Sequence, residues 1–211
     1  MEPGLHTHVI LFDTEYTAWE GSQTRKWSEP WEHREIIQIA ALRVDARDGA
    51  AEIASFNRLV KPRHNPMLSS YIIELTGISQ EAVDARGVAF PAALADFYAF
   101  CEQGRLPLFC WGDDPAVLRE NCRLNAVDYP AFRAGIYDIR AVFHSAGIDT
   151  GRYSSGTVYQ AVGMTLAEAA HNALNDVRSL AATLAALRRA GRIGPAWAEE
   201  TAALPTARFS V

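Results

Sequence analysis

Apolar positions along the chain fall into two regimes. In the first third they come in runs of strand length. Val9 to Phe12 is continuous and runs straight into Asp13-Thr14-Glu15, the pattern of a strand buried on both faces. Glu35 to Val44 is β-branched and apolar, and Ile53 to Val60 follows after Asp48-Gly49, a turn signal between two strand-like runs. Lys61-Pro62 ends that run, because proline cannot donate into a ladder. These segments predict a three-strand meander. From Pro62 to Gly87 the pattern is mixed and short-helical, and from Phe90 helices and short strands alternate. Helices are expected over Pro91–Gln103, Pro115–Leu124, Asp138–Ala146, Ser154–Val162 and Ala173–Arg189, with Gly104, Gly147, Gly163 and Gly191 as stops. Short strands are expected at Leu106–Trp111 and Ile136-Tyr137. A meander followed by helix–strand alternation indicates one mixed α/β domain over residues 1–190, with a patternless tail over 191–211.

One interval breaks the pattern. Ala18 to Arg34 has no helical or strand period and carries Gly21 and Pro30, so it reads as a long loop, residues 18–34. Trp19, Trp27 and Trp31 beside Arg25, Lys26 and Arg34 would suit stacking on bases and contacting phosphates. For any single tryptophan, pinning the loop to the body is the simpler role.

Composition narrows the class. At 49% hydrophobic and 21% charged residues, the chain can build a packed core. A net charge of −5 argues against a generic polyanion-binding module but allows local grip on a few phosphates. Cys101, Cys110 and Cys122 show no metal-ligand spacing and read as reduced core thiols. No apolar run approaches membrane-spanning length, so a cytoplasmic protein is expected.

Acidic residues then supply candidate chemistry. Asp13 and Glu15 lie two apart on a strand and project from one face, where they repel unless a cation or proton lies between them. A hard divalent cation suits such a pair. Asp113 and Asp114 sit where a strand ends and a helix begins, a place for an acid facing a site and equally for a helix cap. In His171-Asn172-Ala173-Leu174-Asn175-Asp176 the first and last residues are roughly 140° apart on a continuous helix. They can share a site if the helix starts between them, with Asn172 as cap and His171 on the preceding loop.

D-T-E, W-G-D-D (Trp111 to Asp114) and H-N-A-L-N-D, with E-I-I-Q-I-A-A-L (Glu35 to Leu42) and E-L-T-G-I (Glu74 to Ile78) between them, occur in an order that resembles one family. They look like the motifs of the DEDDh 3′→5′ exonucleases, the DnaQ-like group on the ribonuclease H-like fold. The W-G-D-D form is most similar to the branch containing KapD-like and histone-mRNA exonucleases. The resemblance spans His8 to Leu187. It implies a five-stranded mixed sheet, three-strand meander plus two parallel strands, flanked by helices. It also implies two Mg²⁺ (or Mn²⁺) ions held by Asp13, Glu15, Asp114 and Asp176, with His171 as general base. Asp13 would bridge the ions, Glu15 and Asp176 would bind the one carrying the attacking water, and Asp114 would support the other. The second motif is one residue shorter than in many relatives, so Asp113 competes with Asp114. Leu118, at the helical distance where relatives place an apolar residue, selects Asp114.

The implied substrate is the 3′ end of single-stranded RNA or DNA, RNA favoured, with nucleoside 5′-monophosphates as product. Tyr16, Thr17, Leu75 and Trp19 are the candidate substrate contacts. The competing readings are a non-catalytic module binding an RNA end or a protein, and a dinucleotide-specific phosphodiesterase. The tryptophan-rich loop favours longer substrates than dinucleotides.

Overall fold

The computed structural model describes residues 7–166, 170–204 and 206–209. The first six residues of the expected domain and, in the expected tail, Pro205 and the last two residues lie outside them. In chain order the elements are β1 (His8–Tyr16), α1 (Ser22–Arg25), β2 (Ile36–Asp45), β3 (Ala51–Lys61), α2 (Ser70–Thr76), α3 (Gln80–Arg86), β4 (Val88–Ala89), α4 (Phe90–Phe100), β5 (Leu108–Cys110), α5 (Asp114–Leu124), β6 (Ile136–Asp138), α6 (Arg140–Ser145), α7 (Ala173–Arg189) and α8 (Trp197–Ala202). They form a mixed α/β ribonuclease H-like arrangement. The sheet order is β4-β3-β2-β1-β5-β6. β1, β2 and β3 pair antiparallel as a meander, and β5 and β6 add parallel to β1. The sheet has one strand more than expected. Val88 and Ala89 pair parallel with Val60 and Lys61, a two-residue strand too short to leave a periodic signal.

β1 is continuously apolar because each face meets a different core. Val9 and Leu11 pack with α6, α7 and α8, through Phe143, Leu180, Leu184 and Trp197. Ile10 and Phe12 pack with α4 and α5, through Phe97, Val117 and Leu118. Each fully buried side chain of this size contributes about 1.5–3 kcal/mol. β1 is therefore a rigid base for the residues at its carboxyl end. A smaller cluster of Ala18, Ile37, Leu68, Ile72, Ile78 and Val83 seats α2 and α3 beside β2. All three cysteines are buried and free.

Several expected boundaries move. The Pro91–Gln103 helix ends at Phe100, since Glu102 and Gln103 adopt positive φ. Asp138 belongs to β6, paired with Cys110, and its carboxylate holds Arg140 at the start of α6. Ser154–Val162 is not an α-helix; a 3₁₀ segment covers Val158–Val162. Ser154 and Thr157 form a side-chain-closed turn instead, and Ser155 and Gly156 are committed to Asp176 as described below. Among the described residues no helix is long and apolar enough to cross a membrane.

The segment after Gly191, read as patternless, carries α8. Trp197 is 1% exposed, packs at a tilt against Phe109 with ring centroids 5.1 Å apart, and donates its indole N–H to the Ala46 carbonyl at 2.9 Å. Farther on, Phe209 N–H bonds the Ile136 carbonyl and Asp138 N–H bonds the Ala207 carbonyl, closing the β6 edge. A six-residue helix anchored by one large residue gives no usable periodicity. Trp197→Ala is expected to lower unfolding free energy by about 3–5 kcal/mol in urea denaturation. A loss below about 1 kcal/mol would mean that α8 is only loosely docked.

Candidate active site

β1 carries Asp13, Thr14 and Glu15 at its carboxyl end, all buried. β5 stops at Cys110, so β1 has no strand partner on that side beyond the paired residues Ile10 and Leu11. The Asp114 carboxylate takes over that role. One of its oxygens accepts both the Thr14 backbone N–H (2.9 Å) and the Thr14 hydroxyl (2.6 Å). Asp114 is 6% exposed, whereas the Asp113 side chain is 79% exposed and reaches Arg34 at 3.6 Å. The two adjacent acids thus divide between the interior of the cleft and its rim.

α7 brings the last acid. Its apolar stripe, Val177, Leu180, Leu184 and Leu187, packs on the β1 side of the core, which holds Asp176 in the first turn over the end of β1. Among the described residues, Asp13, Glu15 and Asp176 offer carboxylate oxygens that lie within 4.8 Å of one another. His171 precedes the helix with φ +64°, and its backbone N–H donates to Asp176 Oδ1 at 3.1 Å. That left-handed residue turns the chain so that the His171 side chain sits on the exposed rim of the same cleft. The cleft holds about 210 Å³ and is also lined by Tyr16, Trp27, Leu75, Trp111 and Ser155.

Burial and crowding act together on the carboxyl groups. Burial pushes Asp13 well above the usual carboxylate range, reinforced by Asp114, Asp176 and Glu15. Burial, then Asp176 and Asp114, raises Glu15 to about 8. Burial raises Asp114 to about 7 against the two bonds from Thr14. Asp176 is raised by burial, opposed by the Ser155 hydroxyl and by His171. Such groups hold protons near neutral pH unless a cation replaces them. Three clustered oxygen donors with a fourth carboxylate alongside fit a hard divalent ion.

Three further residues support the site, Ser155 and Gly156 outside the motifs and Gln38 within E-I-I-Q-I-A-A-L. Ser155 donates to Asp176 Oδ2 at 3.0 Å, and a Cβ on Gly156 would lie 2.4 Å from Asp176 Oδ1. Gln38, buried on β2, accepts the Ala173 N–H at 3.0 Å. It performs the capping expected of Asn172, whose side chain makes no cap bond. Among the expected substrate contacts, Tyr16 and Leu75 line the cleft. Thr17 is buried, its hydroxyl donating to the His33 carbonyl and accepting from Glu35 N–H. Trp19 faces the neighbouring groove with Tyr71 and stacks edge-on to Trp31 at 4.6 Å. Trp27 reaches the cleft instead, bonded to the Thr17 carbonyl and packed on Tyr16. The 18–34 loop is held by the Arg25–Glu32 ion pair and by Ser22.

The family model described as Exonuclease (RNase_T) matches residues 10–184. The chain belongs to the exonuclease family. The 3′-5′ exonuclease Snipper of Drosophila melanogaster is 27% identical over 92% of the chain and 73% of its own length. ERI1 exoribonuclease 2 of Mus musculus is 28% identical over 84% of the chain, which spans 28% of that longer protein. Among solved structures, the nuclease domain of 3′hExo, a DEDDh family member bound to rAMP, superposes with a TM-score of 0.75. That match is 23% identical and covers 89% of this exonuclease and 94% of the other chain. The exonuclease family expected from the motifs therefore holds, and the fold is the one shared with that DEDDh nuclease domain.

The raised carboxyl groups give the metal-free exonuclease a pH signature. Between the ordinary value of 4.5 and about 8, the folded chain holds a proton on Glu15 that the unfolded chain has lost. Stability must therefore fall as pH rises through that window. In EDTA the melting temperature of the wild type is expected to drop between about pH 5 and pH 8, at roughly 2–4 °C per kcal/mol lost. Glu15→Gln should flatten the profile, and Mn²⁺ should restore the wild type most at the upper end. A wild-type profile that is flat or rising would contradict the charge crowding.

Proposed function

We propose that the protein is a metal-dependent 3′→5′ exonuclease that hydrolyses single-stranded nucleic acid, RNA in preference to DNA, to nucleoside 5′-monophosphates. The observation that carries this reading is the gathering of Asp13, Glu15, Asp114 and Asp176 in one buried cleft with His171 on its rim. Polarity and sugar preference are supported by relatives named as 3′-5′ exonucleases and exoribonucleases.

Asp13, Glu15 and Asp176 would hold divalent cations, with Asp114 supporting from beside Thr14. Bound there, a pair of such ions supplies Lewis-acid polarisation of the phosphate and lowers the pKa of a water. His171 accepts the proton of the attacking water on its imidazole, from a rim position open to solvent for proton release. Ser155 and the His171 backbone N–H orient the Asp176 carboxylate, each occupying one of its oxygens. Tyr16 and Trp27, packed at 5.6 Å, and Leu75 form apolar walls for the terminal nucleoside. The narrow cleft favours a single strand, since a paired end would have to be opened first.

The test is a time course on 5′-labelled single-stranded RNA and DNA of equal sequence, with Mg²⁺, Mn²⁺ or EDTA. Stepwise shortening from the 3′ end, faster on RNA and abolished by EDTA, is expected. Asp13→Asn, Asp114→Asn and His171→Ala should each lower turnover by about 100-fold or more with the fold intact by circular dichroism. Asp113→Asn, an exposed change, should stay within about threefold. Equal losses for Asp113 and Asp114 would remove the distinction drawn between them, and an undiminished His171→Ala would sink its role as base.

A further inference from the structure

Glu35 is 1% exposed and lies outside the acidic cleft. Its carboxylate accepts the backbone N–H groups of Arg63 (2.6 Å), His64 (2.9 Å) and Asn65 (2.6 Å). Three donors compensate the buried charge and freeze a surface loop that would otherwise be loosely held. The loop leaves Arg63 and His64 exposed. Glu35 also ties this loop to the cleft, because its backbone pairs both ways with Thr17, the residue after Tyr16.

The neighbours of the loop share one character. His33 stacks edge-on to His64 at 5.2 Å, and the Asn65 side chain bonds the Trp31 carbonyl at 3.1 Å. Trp31 is 49% exposed, although the loop carrying it is locked by the buried Glu32. On the other side, His64 Nε2 lies 3.4 Å from the Leu124 carbonyl at the end of α5. There Arg34, Arg119 and Arg123 line a groove of about 350 Å³ with Phe209. Arg34 bonds Glu120 at 2.9 Å and pairs with Asp113, a cleft residue, so groove and cleft share a border. A band richer in cations than in acids is notable in a chain of net charge −5, where the average surface repels polyanions.

We propose that this band, from Trp31 through Arg63 and His64 to Arg123, binds the phosphodiester backbone and bases of the strand upstream of the nucleotide in the cleft. Arg63, carried on the clasped loop, and the arginines of α5 meet successive phosphates, and the exposed indole offers a face to an unstacked base. The inference rests on the exonuclease reading and extends it to substrate length: strands longer than a dinucleotide are held by contacts that a dinucleotide cannot reach.

The experiment compares wild type, R63E/R123E, Trp31→Ala, and R133E/R189E, which makes the same charge change at exposed residues away from the cleft. Turnover is measured on a dinucleotide and on RNA and DNA strands of about 20 nucleotides. Strand affinity is read separately by fluorescence anisotropy in an Asp13→Asn background, so binding remains measurable whether or not the protein cleaves. R63E/R123E is expected to weaken binding and raise KM for both long strands by about tenfold or more. It should also lower the salt slope by roughly 1–2. Dinucleotide turnover should change less than about twofold. Trp31→Ala should weaken long strands by about fivefold or more, as loss of a stacking contact does. Unchanged affinity in R63E/R123E, an equal loss from R133E/R189E, or a loss confined to one sugar would overturn the track. A wild type that binds long strands through this band yet cleaves nothing would overturn the exonuclease reading instead.

Discussion

Repulsion among carboxylates buried together in one cleft is the constraint on which the rest of the structure depends. Left to themselves, Asp13, Glu15, Asp114 and Asp176 would swing apart or take up protons. The surrounding structure prevents the first. Asp114 is fixed by Thr14, and Asp176 by Ser155 and the His171 backbone. Asp13 and Glu15 ride on a strand buried on both faces. Only the second response, or its replacement by a cation, is then available. The large apolar burial around β1 thus holds in place an arrangement that is unfavourable by itself.

The same logic explains where small and polar residues are needed. Gly156 is dictated by the Asp176 carboxylate, which occupies the space that any side chain would require. Gln38 spends a buried amide on the first turn of α7, and that turn carries Asp176. Asn121 acts similarly on the far side, bonding Ile36 N–H and the Arg34 carbonyl, so the end of the 18–34 loop is tied to α5. Gln38 and Asn121 each act on backbone groups, and each therefore fixes the direction of an element rather than a single contact. Small displacements of α5 or α7 would be felt directly at the acids they carry.

Much of this was legible in the sequence because it is periodic or local. The run into Asp13, the meander and the long α7 follow from patterns within single segments. The motifs also carried the family, since Asp114, His171 and Asp176 mean little singly but are specific in order. What could not be read depends on contacts between distant segments. Gln38 and Ala173 are 135 residues apart, and Thr14 and Asp114 are 100 apart. Trp19 and Trp27 are equivalent in composition, yet the positive φ at Lys26 and Trp27 sends only the second indole to the cleft. α8 and the two-residue β4 are too short to show a period, although Trp197 belongs to the central core.

Charge is partitioned across the surface in a way that suits sequential events. The cleft gathers four carboxyl groups and, among the described residues, offers a phosphate no cationic side chain of its own except His171 at the rim, whereas the proposed band carries arginines. Arg34 lies where the band meets the cleft. Arg34 sits against Asp113 at the rim and over Trp27 at 5.9 Å, between the acids and the arginines of α5. A strand drawn first to the band would be held near the cleft while its terminal nucleotide samples the site. The buried Glu35 clasp then links the two regions mechanically, since one residue pairs with Thr17 at the cleft and with Arg63 to Asn65 on the band. The cleft and the proposed band thus meet at the end of β1, where Tyr16 lines the cleft and Thr17 bonds the backbone of Glu35.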